Sequence, residues 1–97
     1  MYSPATEKKV EDRLLATHVS NNKDFEAACL AGDGLQIMDI VKAEMEKNKL
    51  FTNGSKKLQA DILRMLQGKS KVSPSVGQNI LMFVWNSRMS GIGLAVN

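Results

Sequence analysis

Residues 73–89 read SPSVGQNILMFVWNSRM, and how this stretch folds decides the class of the whole chain. At its centre, Ile80 to Trp85 are six consecutive apolar residues between Asn79 and Asn86. Such a run suits a buried strand or a buried helix, and periodicity alone does not separate the two. The flanks do. Ser73-Pro74 is a helix start, a serine cap followed by proline at the first helical position, where the missing N–H costs nothing. Val76, Ile80, Phe83 and Val84 then recur at helical spacing, while Leu81, Trp85 and Met89 form a second stripe. The stretch is predicted as a helix that is apolar all round from 80 to 85, as befits a central core helix or one that meets a partner.

Upstream, the chain carries the same kind of pattern. Ser3-Pro4 repeats the start signal, and Val10, Leu14 and His18, with Leu15 beside them, make a narrow stripe on a charged helix. Ser20-Asn21-Asn22 ends that helix and caps a short one over residues 23–31, in which Phe25, Ala28 and Cys29 share a face and Gly32 is the stop. Asp33 and Gln36 are spaced as a capping box. The helix after them carries Ile37, Met38, Val41 and Met45 on one side with Ile40 adjacent. Thr52-Asn53-Gly54-Ser55 is predicted as a turn. Leu58, Ile62, Met65 and Leu66 are the expected buried face of a fourth helix that Gly68 ends. The expected architecture is all-α, a small bundle of about five short helices. Residues 1–90 form a single helical domain, and 91–97, with Gly91 and Gly93, a flexible C-terminal tail.

Composition agrees with one small domain. Ninety-seven residues support a single thin core. Hydrophobic residues at 43% and charged ones at 24% are globular values and exclude a disordered chain. Because only Tyr2, Phe25, Phe51, Phe83 and Trp85 are aromatic, the core must come mainly from Leu, Ile, Val and Met. Cys29 stands alone, which excludes an internal disulfide and any multi-cysteine metal site. With a charged rather than apolar first twenty residues, it points to a reducing, cytoplasmic setting. The six apolar residues at 80–85 fall far short of the ~20 that a membrane-spanning helix needs.

Charge is split along the chain. The net +3 conceals −3 over residues 1–45 and +6 over residues 46–97. A basic half suits a polyanion, a head-to-tail association of dipolar molecules, or lysines that simply keep helix faces in water.

Enzyme chemistries find little support. His18 lies near a helix end and Cys29 on an apolar face, so a Cys–His nucleophile pair lacks an accompanying motif and no catalytic residue is assigned. Neither cofactor nor metal is expected. Glu7/Glu11 and Asp39/Glu44 lack the histidines of a bundle di-metal site, and the Asp33-Gly34 loop lacks alternating oxygen ligands. Gly91-Ile92-Gly93 follows no strand and opens no helix, so it is no phosphate loop.

Binding functions remain. The leading expectation is a non-catalytic adaptor or regulator that meets another protein, or a second copy of itself, through the last helix. Ile80, Phe83, Val84, Trp85, Arg88 and Met89 would supply that interface, Trp and Arg being types enriched at hot spots and Met adapting readily. The alternative is a nucleic-acid-binding regulator, because residues 58–85 have the outline of a helix-turn-helix. Ser75, Gln78 and Asn79 would face base edges, and Lys56, Lys57, Arg64, Lys69 and Lys71 the phosphates. Against it stand a long connection and a reading helix that turns wholly apolar after Asn79. A membrane-surface role suffers from Arg88 being the one cation in the last segment.

Overall fold

Local capping chemistry sets the helix starts. The computed structural model describes the backbone of residues 4–49 and 53–96 and the side chains of 10–49 and 53–89. Helix α1 is Pro4–Ser20, its expected serine cap at residue 3 lying outside the described residues. Asn22 caps α2 (Lys23–Ala31), its Oδ1 accepting from the backbone N–H of Asp24 at 2.9 Å and of Phe25 at 3.2 Å. Gly32 closes that helix at φ 72°. The Gly32 N–H bonds the carbonyl of Cys29 and the Asp33 N–H that of Ala28, the paired bonds of a Schellman end.

Asp33 caps α3 (Gly34–Lys47), accepting from Gln36 N–H at 3.1 Å. Only this half of the expected capping box carries weight, because the Asp33 N–H is already held by Ala28. Helix α4 is Asn53–Leu66 and α5 is Pro74–Val96. The turn expected at 52–55 is corrected here: Asn53, Gly54 and Ser55 form the first turn of α4, with Gly54 and Ser55 buried. Tertiary packing overrides the turn preference of these small residues. Residues 91–96, expected as a tail, continue α5 as helical backbone despite their two glycines. Residue 97 lies outside the described residues.

Among the described residues the elements are five α-helices, and α1 touches each of the other four. The core is one cluster: Leu15, Ala16 and Val19 from α1; Phe25, Ala28 and Cys29 from α2; Ile37, Met38, Ile40, Val41 and Met45 from α3; Leu58, Ile62 and Leu66 from α4; Ile80 and Val84 from α5. The α1 face is rotated by one residue from the expected stripe. Leu15 and Val19 go inward with Ala16, while Leu14 and His18 are exposed.

Two close approaches lock the loops and helices. A hydrogen-bonded bridge joins the α2–α3 turn to the α4–α5 connection: Gly34 N–H to Ser70 O at 2.8 Å and Val72 N–H to Gly32 O at 2.9 Å. Helix α5 crosses α2 at Gly77, so near that a methyl placed there would sit 1.8 Å from the carbonyl oxygen of Cys29. The N-terminal end of α5 is thereby pinned, and its later turns lie on α1.

Candidate protein-binding site

The apolar run of α5 divides between the inside and the outside of the molecule. Ile80 and Val84 are fully buried, so these two members of the expected interface are core residues of the single chain and are not available to a partner. Four-residue spacing puts them on one inward face. Phe83 is half-buried and packs on the core edge. On the opposite face Trp85 and Met89 remain 46% and 49% exposed, and Met82, which the sequence reading left out, is 47% exposed. Its three- and seven-residue spacing to Trp85 and Met89 was the available signal.

Arg88 is half-buried and turned back onto the chain. Its Nη1 donates to Asn21 Oδ1 at 3.1 Å and to Ser20 Oγ at 3.4 Å, tying α5 to the α1–α2 turn. Its guanidinium carbon lies 5.2 Å from the centre of the Trp85 ring. That distance is within cation–π range, so Arg88 holds the indole in place. The outcome is a stripe of Met82, Trp85 and Met89 in which the one charged residue of α5, Arg88, is already engaged within the chain.

The residues proposed for nucleic acid fall in several places, Lys69 and Lys71 lining one hollow at the α4–α5 connection. Lys57 and Arg64 both bind Asp61, at 2.9 and 3.1 Å. Lys56 and Lys69 line a groove between α3 and α4, and Lys71 sits on the connection bridged to Asp33. Ser75 Oγ lies 3.0 Å from Ser73 Oγ at the start of α5, and Gln78 and Asn79 are exposed one turn later. Helices α4 and α5 touch sparingly and are separated by residues 67–73, twice the usual helix-turn-helix connection of about 3–4 residues. The packed two-helix unit of that motif is not formed.

A sulfur nucleophile finds no setting. Cys29 is buried, and desolvation, with Glu26 adding to it, pushes its thiol up to about 12. His18 is exposed on α1. Among the described residues no three His, Cys, Asp or Glu side chains lie where they could hold a metal ion, and no helix is long and apolar enough to cross a membrane. Among the described residues, Asp12 is the one carboxyl with a buried oxygen left unpaired. Its Oδ1 is buried without a hydrogen-bond partner, and burial raises its pKa to about 6. Asp61 and Glu11 push the same way, and Lys57 opposes them.

Comparison with known proteins adds nothing to this geometry: no family model, no curated protein and no solved structure matches the chain at a significant level.

Proposed function

We propose that this chain is a non-catalytic adaptor that works by binding, and that the outer stripe of α5 pairs with the same stripe of a second copy. One observation carries the reading: three large apolar side chains, Met82, Trp85 and Met89, each stay about half exposed along one helix face. Several half-exposed apolar groups in a row mark an interaction surface more often than scattered ones do. Neutrality argues for a second copy over a charged target. The net charge of +3 would repel an identical molecule, but the stripe carries no unengaged charge and Arg88 is turned onto Asn21 and Trp85. Two-fold pairing sets Trp85 and the two methionines against their equivalents, an isologous contact. Half-exposed groups alone bury less than a standard interface, so the expected affinity is on the order of micromolar or weaker. A buried free thiol suits a reducing compartment, and we place the protein in the cytoplasm.

Trp85 is the one tryptophan and reports directly on the surface. Its emission is expected to shift to shorter wavelength as protein concentration rises through the association range. In a Met82→Ser/Met89→Ser variant the shift disappears while far-ultraviolet circular dichroism stays helical. An emission maximum independent of concentration refutes the pairing.

A further inference from the structure

A second surface, independent of α5 pairing, lies between α3 and α4. The two helices run antiparallel there, because the N–H at the start of α3, on Gly34, bonds Ser70 just beyond the end of α4. Between them is a groove of about 450 Å³. Leu35 and Leu63 flank its apolar bed at 63% and 48% exposure, and Met38 and Leu66 from the core complete it. At 1.5 Å per residue, Leu35 to Lys42 covers about 10 Å of one wall and Lys56 to Leu66 about 15 Å of the other.

Charge is placed at the ends. The antiparallel arrangement sets Lys69 near Gly34 and Leu35 at one end of the groove, and Lys42 and Lys56 at the other. Asp39 is the one carboxylate on the lining, leaving three cations against one anion. We propose that this groove takes an amphipathic helix of a partner protein. Its apolar residues at i, i+4 and i+7 rest in turn on Leu35 with Leu66, on Met38 with Leu63, and on Ala60, and acidic residues beyond both ends of that stripe meet Lys69 and the Lys42/Lys56 pair. The dimensions fit: with Ala60 included, the apolar lining of α4 from Ala60 to Leu66 covers about 9 Å, against about 10 Å for anchors seven residues apart. An open trough with cations at both ends matches a rod with two acidic ends; an acyl anion has a single charged end.

The test is selection from a displayed library of helical peptides of about 16 residues, long enough to overrun the groove. Library members carry Leu, Met or Phe on one face and Asp, Glu, Lys, Gln or Ser elsewhere. Enriched peptides are expected to bear Asp or Glu beyond both ends of the apolar stripe. They should lose affinity about tenfold against a Lys42→Glu/Lys56→Glu variant, and peptides with Lys at the matching end should regain it. A Leu63→Ser variant weakens both kinds. These positions are exposed, so the variants keep the helical signal and the oligomeric mass of the parent. Enrichment without acidic bias, equal binding to the charge-reversed variant, or no enrichment overturns the proposal. Saturable binding of laurate in the groove without any peptide enrichment assigns it to an acyl anion instead.

Discussion

Replacing Gly77 by alanine tests the packing on which the α5 surface depends. In the middle of an ordinary helix, glycine to alanine stabilises by about 1 kcal/mol, because alanine loses less backbone freedom on folding. Here the new Cβ would stand 1.8 Å from the Cys29 carbonyl oxygen and 2.9 Å from the carbonyl carbon. Real Cβ contacts stay beyond 3.0 Å, so α5 must retreat from α2 by about 1.2 Å. Both contacting groups are backbone, and no flexible side chain is there to yield. Ile80, one turn along and fully buried, moves with the helix and loses contacts of its own. Overpacking against backbone costs about 3 kcal/mol or more, and the helix-propensity gain offsets about 1 of it. A net loss of about 2 kcal/mol lowers Tm by roughly 8–16 °C in a domain of this size.

Thermal unfolding followed at 222 nm, with a urea titration alongside, measures this loss. Gly68→Ala is the control: Gly68 has a φ of 69° but nothing within 4 Å of a would-be Cβ. It should cost only the backbone preference, about 1–2 kcal/mol, and leave the Trp85 environment unchanged. A Gly77→Ala protein as stable as the parent, or more so, would refute the close α2–α5 crossing.

Three further outcomes follow from single groups. The Asp12 carboxyl has a folded pKa of about 6 against 3.8 for the free side chain, so the folded state holds its proton more tightly. Its destabilising effect is absent below the unfolded value, grows as pH rises towards 6 and is complete above it. Asp12→Asn should therefore gain about 1 kcal/mol over the parent at pH 7.5, allowing for solvent screening, and little at pH 3.5. Urea midpoints at the two pH values check it, and a pH-independent difference refutes it. Cys29, with its thiol near 12 and fully buried, should resist iodoacetamide at pH 8 until the chain is unfolded. Alkylation of the native protein at the rate of a free thiol contradicts the packing. Mixed-sequence duplex DNA should give flat anisotropy at 150 mM salt, since Lys57 and Arg64 are engaged by Asp61 and α4 and α5 do not form the packed two-helix unit. Tight binding that falls steeply with salt, and is lost on replacing Lys69 and Lys71, would restore the nucleic-acid reading.

What the sequence disclosed depended on how local the cause was. Helix α3 was legible in full, because Asp33 caps it and Ile37, Met38, Val41 and Met45 repeat at helical spacing without help from elsewhere. Short-range patterning read α1 one residue out of register. On a mostly charged helix the decisive inward residue beside Leu15 and Val19 is Ala16, whose burial depends on a close neighbour and not on its own hydrophobicity. The same reason hid Gly54 and Ser55, small residues buried by packing at the start of α4. Two of the three residues of the α5 surface were visible, Trp85 and Met89. The division between Ile80 and Val84 inside and Met82 outside required knowing which side α1 and α2 cover. The α3–α4 groove left no mark in the sequence. Leu35 and Leu63 look like ordinary helix residues, and Lys42, Lys56 and Lys69 are brought to one trough only by antiparallel packing.

Sedimentation equilibrium of the parent protein over a wide concentration range tests the central claim most directly. The account predicts a mass that rises from 10.7 kDa towards twice that value, with the Met82→Ser/Met89→Ser variant held at the monomer mass. A parent protein that stays at 10.7 kDa up to millimolar concentration would contradict pairing through α5.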